Sequence, residues 1–224
     1  MSPDGERSAT DMALLERLEK LYVAVVADCL DRVGVRSNLL APHVRSLYRG
    51  AMLAGFALTV SVVEVDVAPA RDDWYRGEIL AVDSQRPGDV MVVSTTSGSY
   101  WGELLATASR VRGARGIVGD CYARDTAALI EMRYPTFVAG SLAYDSLGRI
   151  DVDGVGVPIE CAGVAVQPGD LVIGDDDGVA VIPRGVAEEV VRLAEEKVSG
   201  ENTVRVLLAE GMPVAEAFRT YGIL

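Results

Sequence analysis

The chain has 224 residues, half of them hydrophobic, so it can bury a core without disulfides or a structural metal. Its formal net charge of −12 argues against direct nucleic acid binding, because a negative field repels phosphate backbones. Its three cysteines are far apart, which excludes a zinc ribbon and indicates a reducing, cytoplasmic location. The first residues lack a secretory pattern, and no apolar run approaches the roughly 18 residues of a membrane span, so we expect no membrane partner.

The first part of the chain predicts helices, one long strand and then repeated β-loop-α units. Ser8 and Asp11 have the spacing of a capping box, and Gly34 is the residue type expected just after a helix. The predicted elements are helices over 8–20 and 23–33, a strand over 51–65, a helix over 75–82, a strand over 90–93, a loop over 94–100, a helix over 101–111, a strand over 116–119, a loop over 120–123, a helix over 125–133 and a strand over 136–139. This alternation is typical of a parallel or mixed sheet covered by helices.

The second part predicts short strands followed by helices. Apolar runs at 149–157, 162–166, 171–173 and 179–182 are separated by turn sequences and indicate a β-meander or a second sheet layer. A long helix is predicted over 186–208 and a short one over 212–218. Since no repeat or linker divides the sequence, we predict one α/β domain over residues 1–224.

The chain contains a single histidine, His43, which limits its possible chemistry. Nucleophilic sites that pair His with Ser or Cys, and His-rich metal sites, would all depend on this residue. His43 follows Pro42, in a stretch that favours an exposed loop. We therefore expect chemistry to rest on carboxylates, arginine, backbone amides and a bound metal.

Two loops that follow consecutive predicted strands are the strongest candidates for a site. The first leads into a helix, whose amide groups can hold a carboxylate or phosphate. The candidate residues in this loop are Gly102, Glu103, Leu104 and Leu105. The second loop carries Arg124 and Asp125. Taken singly, each loop is explained as well by ordinary helix capping and close packing.

The position of the two loops favours a shared site. In parallel α/β sheets, ligands bind at the carboxyl ends of the strands, and both loops lie there. Together they offer an anion cradle, the permanent cation of Arg124 and the hard oxygen ligand of Asp125. These groups suit a 2-oxo acid bound at Mg²⁺ or Mn²⁺, with Asp125 as the metal ligand.

Other motifs favour structural roles. Asp175, Asp176 and Asp177 precede Gly178 and lack the spacing of a calcium loop, so we expect a tight turn. Cys121 lies in the second candidate loop without a histidine or cysteine neighbour, which favours a packed small residue.

These residues are set in a sequence that resembles the RraA-like family, which includes RraA regulators of RNA degradation and 4-hydroxy-4-methyl-2-oxoglutarate aldolases. The matching stretches are 26–34, 87–90, 101–106, 113–125, 135–138, 168–170 and 174–179, within a core of about 22–215. The resemblance implies a layered β/β/α fold of the swivelling-domain type with flanking N- and C-terminal helices. It also implies a homotrimer or homohexamer with sites at subunit interfaces.

The aldolase members carry an R-D-x-x-E/D motif, which begins here at Arg124-Asp125 and ends at Ala128 instead of an acid. The glycine usual after the loop aspartate is Cys121. By resemblance, Arg124 binds the pyruvyl oxygens and stabilises an enolate, Asp125 anchors Mg²⁺, and the amides of residues 102–105 hold the carboxylate.

Two functions follow from this resemblance. The first is a metal-dependent lyase that cleaves 4-hydroxy-2-oxo dicarboxylates or decarboxylates oxaloacetate, with decarboxylation better retained because Ala128 carries no acid. The second is a non-catalytic regulator that binds an RNA-degrading enzyme through protein contacts. Methyl transfer has little support, since no glycine-rich cofactor loop is present in the sequence.

Overall fold

The structure is a computed structural model that describes residues 7–223. Its helices are α1 (Ala9–Leu18), α2 (Val23–Arg32), α3 (Arg76–Asp83), α4 (Glu103–Val111), α5 (Thr126–Met132), α6 (Ala187–Ala209) and α7 (Val214–Tyr221). Its strands are β1 (Arg45–Ser46), β2 (Leu53–Glu64), β3 (Asp89–Val93), β4 (Ser99–Trp101), β5 (Gly116–Gly119), β6 (Tyr122–Ala123), β7 (Thr136–Val138), β8 (Gly140–Ser141), β9 (Ile150–Val155), β10 (Ile159–Cys161), β11 (Val164–Val166), β12 (Leu171–Asp175) and β13 (Gly178–Ile182).

The main sheet is mixed and has the order β1-β7-β5-β3-β2-β12-β13, with β9 as an additional partner of β2. The strands β2, β3, β5 and β7 are parallel, and the pairs with β1, β9, β12 and β13 are antiparallel. Backbone hydrogen bonds also join residues 38–40, just before β1, to β13. Because β1 and β13 are the two ends of the strand order, the sheet nearly closes on itself.

Alternating side chains cover both faces of this sheet. On one face, Met91, Val93 and Ile117 pack beneath α3, α4 and α5, while α1, α2 and α6 cover the β12–β13 end. On the other face, Val90 and Val118 pack against the β10–β11 hairpin. The predicted layered β/β/α fold with flanking helices is confirmed. Along residues 7–223, none of the helices combines the length and apolar character that a bilayer crossing requires.

Two equivalent turns place the strands β3 and β12. In Pro87-Gly88-Asp89, the Asp89 carboxylate accepts a hydrogen bond from Arg86 N at 2.8 Å. In the second turn, Asp170 accepts one from Gln167 N at 2.9 Å. The glycines at the centres of the two turns have φ values of +85° and +88°, a backbone region that glycine adopts without strain. Each repeated Pro-Gly-Asp sequence is therefore a turn that starts a buried strand.

The structure corrects several of the predicted elements. Of the four runs predicted to form a meander or second layer, those of β9, β12 and β13 belong to the main sheet, and only β11 lies outside it, in a hairpin with β10. The helix expected from residue 101 begins at Glu103, because the preceding residues form β4. The loop expected over 120–123 contains β6. Half of the predicted capping box is present, since Ser8 Oγ accepts from Asp11 N, whereas the Asp11 carboxylate pairs with Arg184. Gly34 follows α2 as predicted and adopts a φ of +80°.

Candidate active site

A small parallel sheet joins the two candidate loops. Beyond the carboxyl ends of β3, β5 and β7, the chain continues into β4, β6 and β8, which pair in parallel in that order. Two further backbone bonds tie the loops together, from Tyr122 N to Gly98 O at 3.0 Å and from Arg124 N to Trp101 O at 2.8 Å. The loops are consequently held in register by the backbone, independently of their side chains.

Gly102 allows the second loop to lie directly against the start of α4. A Cβ atom at this position would lie 2.9 Å from Asp125 Oδ2 and 3.4 Å from Arg124 Cγ. Asp125 Oδ2 accepts a hydrogen bond from Glu103 N at 3.3 Å, so its carboxylate already occupies part of the amide cradle. Asp125 also has a φ of +56°, an uncommon backbone conformation for a residue other than glycine. Strain of this kind is concentrated at functional sites.

The Arg124 guanidinium lies between two carboxylates. Its Nε is 3.9 Å from Asp125 Oδ2, and its Nη1 is 3.5 Å from Asp145 Oδ1. Tyr75 donates its hydroxyl to Asp145 Oδ2 at 2.8 Å. Burial alone would raise the pKa of Asp145, but the Tyr75 hydroxyl, nearby backbone N–H groups and Arg124 together lower it. Asp145 is thus an ionised partner that orients Arg124, which remains partly exposed.

These groups line a cleft of about 360 Å³, a size suited to a small organic acid. Its buried wall contains Trp101, which stacks between the rings of Tyr100 and Tyr134 at centroid distances of 6.4 and 6.2 Å. The lining residues are Tyr75, Glu78, Ile79, Ser99, Tyr100, Trp101, Gly102, Leu104, Leu105, Arg124, Asp125, Asp145 and Ser146. The cleft therefore combines an aromatic wall with one guanidinium and three carboxyl groups.

Glu78 is the most buried of the three carboxyl groups, with 8% of the residue exposed. Burial raises its pKa to about 7. The Ser146 hydroxyl and Arg124 oppose this increase, whereas the negative charges of Asp145 and Asp151 add to it. Glu78 can therefore gain or lose a proton near neutral pH.

The structure brings most of the predicted site residues together. Gly102, Leu104, Leu105, Arg124 and Asp125 all line the cleft. Glu103 is separated from it and lines a neighbouring hollow, which also includes Asp125, Ala128, Glu131 and Met132. Glu131 is therefore placed beside Ala128 in that hollow.

Three ionisable residues of the cleft were missed by sequence reasoning. Tyr75 and Glu78 lie at the start of a weakly patterned helix, and Asp145 lies in the loop between β8 and β9. None belongs to a local motif, because each reaches the cleft through tertiary packing. The one available sequence signal for these residues was Glu78, a charged residue on a helix that otherwise packs against the sheet.

Two residues noted in the sequence lie outside the cleft. His43 is in an exposed loop, as predicted, and its Nε2 is 2.6 Å from Asp120 Oδ1. Asp120 also accepts from the Thr95 hydroxyl at 2.8 Å. Cys121 is fully buried, and this burial raises the pKa of its thiol well above the ordinary value, which fits the predicted packing role.

The donor set around Asp125 limits how a metal could bind. Within residues 7–223, no group of three or more His, Cys, Asp or Glu side chains is arranged to hold a metal ion. Mg²⁺ commonly binds through one or two carboxylates and completes its coordination with waters and substrate oxygens. The partly exposed Asp125 carboxylate fits this mode. The site fits a cation shared with an oxygen-rich substrate, and it does not fit an all-protein cage.

Comparison with known proteins assigns this architecture to a family. The family described as "RraA-like: Aldolase/RraA" matches residues 23–181, which includes both candidate loops. The chain belongs to the RraA-like family. Among solved structures, a Pseudomonas syringae protein matches this RraA-like chain with a TM-score of 0.81 and 27% identity, covering 92% of this chain and 96% of that one.

Two other relatives have more informative names. A Halalkalibacterium halodurans protein named "Putative 4-hydroxy-4-methyl-2-oxoglutarate aldolase" is 26% identical over 214 residues, covering 94% of this chain and 96% of its own. The Streptomyces coelicolor structure of RraAS2, described as an unusual member of the RNase ES inhibitor RraA protein family, has a TM-score of 0.78 and 28% identity. It covers 88% of this chain and 98% of its own. The relatives thus include both an aldolase name and a regulator name.

Proposed function

We propose that this RraA-like protein is a divalent-metal-dependent lyase acting on small pyruvyl-containing acids. The observation that carries the proposal is the convergence of Arg124, Asp125 and the N-terminal amides of α4 on one cleft of about 360 Å³. Its candidate reactions are retro-aldol cleavage of 4-hydroxy-4-methyl-2-oxoglutarate-type substrates and decarboxylation of oxaloacetate. Both reactions break a C3–C4 bond and leave the bonding electrons on a pyruvate enolate.

The residues of the cleft have separate roles in this proposal. The free N–H groups at the start of α4, at Leu104 and Leu105, bind the substrate carboxylate, since the first amides of a helix have no partner within it. Arg124 places its positive charge beside the oxygen on which negative charge develops. Preorganised charge of this kind commonly contributes 10²- to 10³-fold to the rate. Asp145 and Tyr75 hold the guanidinium in position.

Asp125 is the residue that would hold Mg²⁺ or Mn²⁺. When bound, the ion would polarise the 2-oxo group of the substrate. Asp125 is suited to this role because its carboxylate lies at the cleft wall and is about half exposed. Its hydrogen bond from Glu103 N holds one oxygen and leaves the other without a described hydrogen-bond donor. Because Arg124 directly precedes Asp125 in the chain, a cation held by Asp125 would lie at the same end of the cleft as the Arg124 guanidinium.

The direct test is steady-state pyruvate release from oxaloacetate and from 4-hydroxy-4-methyl-2-oxoglutarate, with Mg²⁺ and with excess EDTA. We expect metal-dependent turnover of at least one substrate and a loss of about a hundredfold or more in the Arg124→Ala protein. The Arg133→Ala protein is a matched control, because Arg133 lies at the far end of α5 and faces Tyr48. An Arg124→Ala protein as active as the parent on both substrates would refute the site assignment.

A second function is favoured by the similarity to RraAS2 and by the net charge of −12. In this alternative the protein is a non-catalytic regulator whose acidic surface binds basic segments of an RNA-degrading enzyme. Pull-down of such an enzyme by a chain that lacks metal-dependent turnover would favour this alternative. Retention of binding in the Arg124→Ala protein would place the interface outside the cleft.

We also propose that the chain assembles as a homotrimer or homohexamer. Large apolar side chains next to the cleft are exposed, including Ile79, Leu80 and Leu104, of which Leu104 is 76% exposed. A second copy covering this surface would bury apolar area and narrow the cleft entrance. Light scattering of the purified protein distinguishes a trimer, a hexamer and a monomer.

A further inference from the structure

The buried carboxyl group of Glu78 lines the cleft, but the proposed binding of a 2-oxo acid gives it no role. Glu78 is in the first turn of α3, directly after Gly77. A Cβ atom at Gly77 would lie 2.4 Å from Val152 Cβ and 3.0 Å from Val152 O, so only glycine lets α3 pack this closely on β9. This close approach carries Glu78 into the cleft wall.

The other two acids of the cleft are already committed to partners. Asp125 accepts from the α4 backbone, and Asp145 is bound by Tyr75 and faces Arg124. Glu78 has the Ser146 hydroxyl as its hydrogen-bond partner, and this bond opposes the larger effect of burial on the pKa of Glu78. Because this partner is a neutral hydroxyl, whereas Asp145 faces a guanidinium and Asp125 accepts from a backbone amide, Glu78 is the acid of the cleft best placed to exchange a proton with a bound molecule.

The surroundings of Glu78 contain further polar atoms without partners. Ser99 and Tyr100 both line the cleft, and their hydroxyl oxygens are buried without a hydrogen-bond partner among the residues described. Burying an unpaired hydroxyl is unfavourable, so such groups indicate a polar ligand or water. Several groups interact with Glu78, through its charge or through a hydrogen bond. They are Tyr75, Tyr100, Arg124, Asp145, Ser146 and Asp151.

Retro-aldol cleavage needs a base for the 4-hydroxyl proton, and position 128 supplies an alanine. We propose that Glu78 is the catalytic base that takes this proton from the substrate and the acid that later protonates the enolate. The inference rests on the lyase function proposed above. It also assigns a place to the 4-hydroxyl group of the substrate, which binds in the part of the cleft that is lined by Glu78, Ser99 and Tyr100.

The proposed step balances within the substrate and one carboxyl group. The Glu78 carboxylate accepts the 4-hydroxyl proton while the O–H electron pair forms the new C4 carbonyl. The C3–C4 bond breaks, and its electron pair passes to the pyruvate enolate beside Arg124. Protonated Glu78 then donates the proton to C3, which yields pyruvate and restores the carboxylate. Oxaloacetate decarboxylation releases CO₂ directly and does not need the first of these proton transfers.

The experiment compares the parent, Glu78→Gln and Asp83→Asn proteins. Asp83 is an exposed acid at the other end of α3 and serves as the matched control. Pyruvate release from both substrates is measured with Mg²⁺, together with hydrogen–deuterium exchange of the pyruvate methyl group by NMR. In Glu78→Gln we expect kcat for retro-aldol cleavage and the rate of methyl exchange to fall about a hundredfold or more. We expect its KM to change little, its decarboxylation to stay within about tenfold of the parent, and Asp83→Asn to match the parent.

The pH profile provides a second readout. In the parent, kcat/KM for cleavage should rise as the pH increases through about 7, where Glu78 becomes ionised. The Glu78→Asp protein should recover part of the cleavage rate that glutamine removes. Undiminished cleavage in Glu78→Gln, or an equal loss of cleavage and decarboxylation, would overturn the inference and leave the lyase function standing. A parent that releases pyruvate from neither substrate would overturn both.

Discussion

Replacing Glu78 by glutamine is expected to change how the stability of the protein depends on pH. Burial raises the pKa of Glu78 from its ordinary 4.5 to about 7 in the folded state. Between these values the folded chain binds a proton that the unfolded chain has released. The free energy of unfolding of the parent therefore falls as the pH rises through this window. Glutamine carries no such proton, so the variant lacks this contribution.

The size of this change in the free energy of unfolding follows from the interval between the two pKa values of Glu78. At roughly 1.4 kcal/mol per pH unit, the span from 4.5 to about 7 corresponds to about 3 kcal/mol. From pH 5.5 to pH 8, about 2 kcal/mol of this change in the free energy of unfolding should be measurable. Both pH values lie above the isoelectric point of about 4.6. Other titrating groups are common to both proteins and cancel when the two are subtracted.

Urea unfolding followed by tryptophan fluorescence measures the difference, since Trp101 is buried in the cleft wall. We expect the free energy of unfolding of Glu78→Gln, relative to that of the parent, to rise by about 2 kcal/mol from pH 5.5 to pH 8. The exposed Asp83→Asn control should run parallel to the parent. A difference between Glu78→Gln and the parent that stays constant over this range would show that Glu78 is ionised at low pH in the folded protein.

Three further substitutions test local features of the fold and site. Gly102→Ala places a Cβ 2.9 Å from Asp125 Oδ2, so calorimetry should show oxalate binding weakened about tenfold or more; unchanged affinity would separate Gly102 from the site. Gly77→Ala meets Val152 at 2.4 Å and should lower the unfolding free energy by about 1–3 kcal/mol in urea, whereas a neutral change would show that α3 can move freely from β9. Asp170→Ala leaves two backbone N–H groups without their acceptor and should cost about 2 kcal/mol by the same assay; an effect under about 0.5 kcal/mol would refute the turn's structural role.

The order of elements and the meeting of the two candidate loops could be predicted from the sequence. Strands of adjacent β-loop-α units end at the same edge of a sheet, so Gly102 and Arg124 had to lie close together. The prediction that Asp125 starts a helix also holds, since it occupies the position before α5. Its carboxylate, however, binds the amide of Glu103 on the neighbouring helix instead of capping α5.

The parts that could not be predicted depend on contacts between distant segments. The strands β4 and β6 have two or three residues each and are stabilised by pairing with one another, which leaves no periodic pattern to detect. The placement of β12 in the main sheet follows from pairing with β2, more than 100 residues earlier in the chain. Glu78 reaches the cleft because Gly77 packs against Val152 of β9, and neither residue marks a site locally.

The central claim is that the cleft binds a 2-oxo acid between Asp125 and the start of α4. A crystal structure of the protein soaked with Mg²⁺ and oxalate, a mimic of the pyruvate enolate, tests this directly. We predict ligand density with its oxygens at the amides of Leu104 and Leu105 and at Arg124, and a cation beside Asp125. Density for the anion elsewhere, with the cleft holding only water at saturating oxalate, would contradict the account.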